Sequence, residues 1–333
     1  MQTLQIRLTQ QQIDKTDELV KQGVYANRSE VARDAIRRLV FQKELETKEK
    51  HLVLFASDAH GNKQQYQKLF RKALSDQADT LIIGGDITPK DPQNRTVKKQ
   101  KEFLETFFIP AITDFKRELH ANKQECEVFI ILGNDDFKPN HDVLKANQEA
   151  GYVLINNSSA QTTDGFTIVG YPYVPLTPYQ HKDWEKLDAN NTKESEYRTK
   201  YLTTGTIAQT RTKTFDINNR TDTIENDLNK LLENKDPKKT ILVTHAPPYN
   251  TCLDVTKYEE HVGSYAIKQL IKEKQPLITL HGHIHETVDM TGQFKEQTNQ
   301  TLSMSTGNYH DTKNMAVIRF DLYNPENAER III

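Results

Sequence analysis

Cysteine is nearly missing from this 333-residue chain: Cys126 and Cys252 stand on separate segments with no Cys-x-x-Cys spacing. That excludes a disulfide-built scaffold and suits two reduced structural thiols in a cytoplasmic protein. Long apolar runs are missing too. No stretch approaches the roughly 20 residues that a membrane-spanning helix requires, and the start, Met1-Gln2-Thr3, lacks the basic patch and apolar run of a signal peptide. Strong charge of either sign is likewise absent. Lys and Arg total 44 against 46 Asp and Glu, for a formal net charge of −2 and a pI near 6.6. No global attraction to nucleic acid or anionic membrane follows, so any such binding has to be local. A soluble cytoplasmic protein is expected, long enough for two domains or for one large domain with a small appendage.

The pattern changes near residue 50. From Thr3 to Leu8, apolar Leu4, Ile6 and Leu8 alternate with polar Thr3, Gln5 and Arg7, which predicts a short half-buried strand. Thr9 with Gln12 has capping-box spacing for a helix running to about Gln22, with Gly23 placed to end it. Asn27 with Glu30 opens a second helix, whose Val31, Ala35, Ile36, Leu39 and Val40 share one stripe. The mostly charged stretch from Phe41 to Lys50 reads as a helix extension or linker. The expected division is a unit at 1–45, a linker at 46–50 and a main domain at 51–333. One strand and two amphipathic helices cannot bury a core alone, so the first unit should be stable only as a homodimer.

This segment resembles the ribbon-helix-helix family of DNA-binding and antitoxin proteins, through Leu4-Gln5-Ile6-Arg7-Leu8 and through Tyr25-Ala26-Asn27-Arg28-Ser29-Glu30 with the residues to Arg37. The resemblance implies two ribbons paired antiparallel across a dimer, with Thr3, Gln5 and Arg7 facing the major groove. It also implies that Asn27, Arg28 and Ser29 present backbone N–H groups to a phosphate. Lys and Arg only slightly outnumber Asp and Glu in residues 1–50. Dimerisation without DNA contact is therefore the competing reading.

From His51 onward, short apolar runs alternate with helical stretches, the pattern of an α/β fold. Runs at 52–56, 81–83, 128–132, 168–169, 241–243 and 277–280 read as strands. Five of them end in ligand chemistry: Asp58-Ala59-His60, Gly84-Gly85-Asp86, Gly133-Asn134-Asp135-Asp136, His245, and Gly282-His283-Ile284-His285. Side chains at strand ends converge on one sheet edge, where open α/β folds place ligands. A shared carboxylate offsets the repulsion between two divalent ions, neutral imidazoles suit Zn, Fe, Ni or Mn, and an amide oxygen completes a shell without overcharging it. Glycine before a ligand lets the backbone pass close to the ions. Each motif alone is commonplace; all five in order are not.

That ordered set resembles the calcineurin-like metallophosphoesterases over residues 51–322. The text from Gly170 to Pro175 leading to Lys182-Asp183-Trp184-Glu185 is similar to the Icc-related branch. The resemblance implies a four-layer α/β/β/α sandwich and two divalent ions (Mn, Fe, Ni, Zn or Mg). Asp58, His60 and His285 would hold the first ion, Asn134, His245 and His283 the second, and Asp86 would bridge. Such an ion pair activates water for in-line attack on phosphorus and clamps the non-bridging oxygens.

Many members carry His directly after the Asn of the third motif as the leaving-group acid, whereas this chain has Asp135. A carboxyl there could protonate a leaving group only if burial or Asp136 raised its pKa, and nearby cations push the other way. Asp135 is thus a candidate acid, and substrates with good leaving groups are favoured. His281 is a second candidate helper whose strand position favours a structural role.

The polar stretch from Trp184 to Lys239 reads as a lid or exposed excursion, with a helix from Thr223 to Leu232. The runs 302–305 and 315–322 should rejoin the sheets, and the terminal Ile331-Ile332-Ile333 has no sequence-level explanation. The leading expectation is a phosphohydrolase acting on a phosphodiester or nucleotide, dimerised and DNA-tethered by its first unit. Alternatives are a DNA-bound regulator or antitoxin-like protein that senses a nucleotide, and a nuclease delivered to DNA by the ribbon.

Overall fold

The computed structural model describes residues 7–23, 25–36, 50–91, 96–179, 181–190, 202–204, 211–213, 218 and 221–333. Met1–Lys50 and His51–Ile333 form separate units.

In the first unit, the helix Gln10–Lys21 begins with the expected capping box. The Thr9 hydroxyl accepts from the Gln12 N–H at 3.3 Å, and the Gln12 side chain accepts from the Thr9 N–H at 2.9 Å. Gly23 follows the helix at φ +72°, the left-handed turn that glycine adopts without strain. Residues 28–36 are helical. Asn27 Oδ1 accepts from the Glu30 N–H at 3.0 Å, but the Glu30 carboxylate reaches past Asn27 to the Ala26 N–H at 2.7 Å. Arg28 pairs with Asp17 of the first helix. The helix Gln10–Lys21 buries none of its residues, and Leu8 and Ile36 are exposed at 42% and 38%. Of the predicted strand, Thr3, Gln5 and their neighbours up to residue 6 lie outside the described residues. Arg7 and Leu8 take no strand pairing among the described residues.

The second unit is built on strands β1 (Leu52–Ala56), β2 (Thr80–Gly84), β3 (Glu127–Ile131), β4 (Val153–Leu154), β5 (Ser158–Gln161), β6 (Thr167–Tyr171), β7 (Val174–Pro175), β8 (Glu185–Lys186), β9 (Leu202–Thr204), β10 (Arg211–Lys213), β11 (Thr240–Thr244), β12 (Ile278–His281), β13 (Lys295–Thr298), β14 (Thr301–Ser305), β15 (Ala316–Asp321) and β16 (Asn324–Ile332). Two mixed six-stranded sheets result, with orders β16-β15-β1-β2-β3-β4 and β13-β14-β12-β11-β6-β5. β1 to β4 are parallel, β15 pairs antiparallel with β1, and β16 pairs antiparallel with β15 and so runs in the direction of β1. In the other sheet β6, β11, β12 and β14 are parallel, and antiparallel β5 and β13 form its edges.

Side-chain alternation explains why the inner strands read as unbroken apolar runs. In β1, Leu52, Leu54 and Ala56 enter one core while Val53 and Phe55 enter another. The second of these cores also takes Ile82 and Phe129 from the first sheet, and Ile241, Val243, Ile278 and Leu280 from the other. It therefore lies between the sheets. Tyr66, Leu69 and Phe70 of the helix Lys63–Ser75, with Phe115 of Ile109–Ala121, pack on the opposite side of β1 and β2. Ile224 and Leu228 of Ile224–Leu231, with Ile267 and Ile271 of Tyr265–Lys274, pack with Val169 and Leu242 of the second sheet. Each fully buried Leu, Ile or Phe contributes about 1.5–3 kcal/mol over its exposed state.

Two expectations change. The excursion predicted from Trp184 does not begin exposed: Trp184, Glu185, Leu187, Asp188 and Ala189 are buried. Lys182 Nζ lies 2.6 Å from Glu185 Oε2 in a buried ion pair. Asp188 accepts from Ser264 Oγ at 2.5 Å and from the Tyr265 N–H at 2.6 Å, securing the start of the helix Tyr265–Lys274. Polar residues there satisfy one another inside the fold. The terminal isoleucines also find a place, because β16 pairs with β15. Ile331 and Ile333 pack on the core, and Ile332 alternates outward at 55% exposure.

Candidate metal centre

β1, β2 and β3 of one sheet deliver Asp58 and His60, Asp86, and Asn134 to the site, while β11 and β12 of the other deliver His245, His283 and His285. The expectation of a single sheet edge is thus corrected. The site straddles two sheets, which their shared core holds together.

Backbone conformation marks the same residues. Asp58, His60, Asp86 and His283 all have positive φ, at 58°, 42°, 51° and 70°. Non-glycine residues held there carry strain of about 1–3 kcal/mol each, which recurs at functional sites. Gly133 meets a second demand: a Cβ there would sit 2.4 Å from Asp86 Oδ1 and 2.6 Å from His245 Nε2.

The side chains converge. His60 Nε2 lies 3.1 Å from His285 Nε2 and 3.4 Å from Asp86 Oδ2. His285 Nε2 is 3.5 Å from Asp58 Oδ1. Ligand atoms of Asp58, His60, Asp86 and His285 all fall within 4.8 Å of one another. On the other side of Asp86, His245 Nε2 is 3.3 Å from Asp86 Oδ2 and 3.1 Å from Asn134 Oδ1. The His283 ring centroid lies 5.3 Å from that of His245. His245 Nδ1 donates to the Gly84 carbonyl at 2.8 Å, which turns Nε2 toward the carboxylates.

Charge in this cluster calls for cations. Burial works against ionising Asp58, yet His285 and His245 hold it below the usual carboxylate range. Asp86 is likewise held well below its ordinary value against burial, chiefly by His245 and His60. Burial opposes protonation of His245, but Asp86 and Asp58 outweigh it and raise that imidazole to about 10. Burial, reinforced by His245, pushes His283 down to about 3, the neutral form that ligates metals. Two buried carboxylates, converging imidazole nitrogens and an amide oxygen fit divalent metal ions.

Asp135 sits at the rim, half-buried. Its N–H donates to Asp86 Oδ1 at 2.8 Å, and its Oδ2 lies 3.8 Å from His60 Nδ1 and 3.9 Å from Lys90 Nζ. Asp136 turns away from the site and accepts from the N–H groups of Ile87, Thr88 and Gly133 at 2.8–3.1 Å, tying two ligand loops together. His281 is fully buried, with Nδ1 2.8 Å from Thr244 Oγ1 and Nε2 2.8 Å from Thr279 Oγ1, a structural placement.

Residues 51–287 match the family described as calcineurin-like phosphoesterase. The chain belongs to that family. All seven candidate ligands of this calcineurin-like phosphoesterase, from Asp58 to His285, fall inside the matched segment. The chain is 42% identical over 57 residues to the protein MJ1162 of Methanocaldococcus jannaschii, a match covering 16% of this chain and 26% of that protein. Its fold is similar to that of TT1561 of Thermus thermophilus, with 15% identity, a TM-score of 0.52, and coverage of 85% of this chain and 99% of that one. A further crystal structure matches with 16% identity, a TM-score of 0.54, and coverage of 86% and 99%. No helix among the described residues is long and apolar enough to cross a membrane.

Sequence reasoning missed two groups at this phosphoesterase site. His310, after β14, has its ring 4.6 Å from that of His60 and 5.4 Å from that of His285. Its signal was a further apolar run, 302–305, followed by Gly307-Asn308, the same grammar as Gly133-Asn134. Asn308 itself is structural, donating to the Asp58 carbonyl at 3.0 Å. Lys90, four residues after Asp86, had no distinguishing pattern.

Proposed function

We propose that residues 51–333 form a dinuclear metal-dependent phosphohydrolase acting on a phosphodiester or nucleotide. The observation that carries this is the position of Asp86, whose carboxylate stands between the His60 and His245 nitrogens at 3.4 and 3.3 Å. Asp58, His60 and His285 would hold one ion, Asn134, His245 and His283 the other, and Asp86 both. When bound, the two ions supply charge neutralisation for the phosphoryl group and a lowered pKa for the attacking water. The protein positions the rest. The Gly84 carbonyl sets the His245 tautomer, and the Asp58 carboxylate accepts from the His283 N–H at 3.0 Å, orienting the last motif. Asp135 is our candidate for the leaving-group acid, with Lys90 near its carboxylate. Tyr179, 61% exposed on the wall of the cavity that holds Asn134 and His283, offers a flat face to a nucleobase.

We read residues 1–45 as a ribbon-helix-helix unit, 46–50 as a linker, and 51–333 as a four-layer sandwich of the Icc-related branch. Thr3, Gln5 and Arg7, with Asn27 to Ser29, remain the proposed DNA contacts. Support comes from the two capped helices and from the exposed Leu8 and Ile36, which a second copy would cover to make a homodimer. Both cysteines are free, as a cytoplasmic setting would have them.

The test is a panel of phosphomonoesters, phosphodiesters and nucleotides offered to metal-free protein reloaded with Mn or other divalent ions, beside a DNA-binding assay. Hydrolysis confined to reloaded protein and strongest on diesters or nucleotides is expected. Turnover that is indifferent to metal would sink the reading.

A further inference from the structure

Beside the metal centre opens a second, larger cavity of about 710 Å³, against about 300 Å³ for the one holding Asn134, His283 and His285. Lys90 lines both. His60 and His310, with ring centroids 4.6 Å apart, line the larger one together with Lys63 and Lys99. Its lining holds three lysines against two carboxylates, although Lys90 also lies 3.9 Å from Asp135 Oδ2 at the metal centre. Lys63, Lys90 and Lys99 face Asp91 and Glu102, and Glu102 Oε2 is tied to Lys99 Nζ at 3.0 Å. Lys63 has no carboxylate partner among the described residues. Its ammonium lies 5.2 Å from the centre of the Phe107 ring. Gly61, Asn62 and Lys63 also bring the start of the helix Lys63–Ser75 to the cavity wall, adding the positive end of a helix dipole. His310 is held neutral, since burial, Lys90 and His285 push it down to about 4, so it adds no charge.

Resting on the phosphohydrolase reading, we propose that this cavity is a second anion subsite, which takes a further phosphate of the substrate while the scissile phosphate lies at the metal ligands. The preferred substrate class is then a nucleoside carrying two phosphates, free or as part of a short oligonucleotide, rather than a simple diester. Lys90 touches both cavities and marks the junction. Lys63 and Lys99 serve specificity and lie away from the reacting bond.

Thymidine 5′-(p-nitrophenyl phosphate) and its 3′-phosphorylated counterpart differ by one phosphate and so isolate the subsite. With the full-length, Mn-loaded protein at low salt, the 3′-phosphate should lower KM by about tenfold, or ~1.4 kcal/mol of binding. Raising the ionic strength to about 1 M, where the screening length is ~3 Å, should erase most of that preference. The double variant Lys63→Gln/Lys99→Gln changes exposed residues and should fold normally. Its ratio of the two KM values should fall toward one. Equal KM values in the wild-type protein, or a double variant that keeps the preference, would overturn the subsite.

If neither ester is hydrolysed, the phosphohydrolase reading has failed separately, and calorimetry on metal-depleted protein still decides. Thymidine 3′,5′-bisphosphate should then bind the wild type about tenfold more tightly than the double variant, and equal binding overturns the proposal. Stronger competition by a short oligothymidylate than by the bisphosphate supports the subsite with nucleic acid as the source of the phosphate. The reverse order supports it with a free nucleotide.

Discussion

The Nε2 atoms of His60 and His285 face each other across 3.1 Å, although 225 residues separate them in the chain. Each nitrogen also lies within 3.5 Å of a buried carboxylate oxygen, Asp86 for His60 and Asp58 for His285. Two lone pairs at this distance repel unless a cation or proton lies between them. Metal removal should therefore cost stability as well as activity. At free ion concentrations near 100 times Kd, binding adds about 2.7 kcal/mol, which for a domain of this size corresponds to roughly 5 °C in Tm. Calorimetry before and after chelation, and after Mn is restored, measures it. A melting curve that ignores the chelator, in protein shown to have lost its ions, would contradict a metal role for the cluster.

Asp86→Asn keeps the shape and the acceptor that the Asp135 N–H uses, and removes only the charge. Turnover at saturating Mn should fall by at least ~10²-fold, the scale on which removing a single oxyanion-hole donor acts, while the fold persists. Kinetics paired with circular dichroism and metal analysis read both. Wild-type turnover in the metal-saturated variant would defeat the bridging role.

Asp135→Asn separates leaving groups. Should Asp135 donate the proton, alkyl phosphodiesters lose about 10²-fold in kcat, whereas p-nitrophenyl esters, whose phenolate departs unaided, change little. An equal loss on both substrates would place Asp135 among the positioning residues instead.

At Gly282 an added Cβ would fall 2.1 Å from Ser57 Oγ and 2.4 Å from Asp58 Oδ2. The hydroxyl is able to rotate away, but Asp58 is held by the His283 N–H at 3.0 and 3.1 Å. Gly282→Ala should therefore cost about 1–3 kcal/mol in denaturant unfolding and lower the bound-metal content. Unchanged metal stoichiometry would show that Asp58 moves without consequence.

On the proposed reading of residues 1–45 as a dimerising ribbon unit, deleting them should leave a monomer with unchanged metal content and esterase activity, as seen by sedimentation and metal analysis. Separately, Arg7→Ala should lose about 1–3 kcal/mol of discrimination at a contacted base with the oligomeric state unchanged. A monomeric full-length protein would rule out the ribbon, since a lone ribbon leaves an unsatisfied strand edge.

What the amino-acid order determined by itself was local and periodic. The apolar runs at β1, β2, β3, β6, β11 and β12, the Thr9 capping box, the helix after Thr223 and the ligand residue types at five strand ends all follow from residue-by-residue preferences and short spacings. Only the tertiary structure decided what depends on distant segments meeting. It divided the strands between two sheets, so that His285 faces His60 and His245 faces Asp86. It brought His310 to the first group of ligands, buried the start of the polar stretch at Trp184, and gave the terminal isoleucines a partner strand. No local pattern encodes these pairings, because they result from burying apolar faces of segments far apart in the chain, and that free energy is indifferent to sequence spacing.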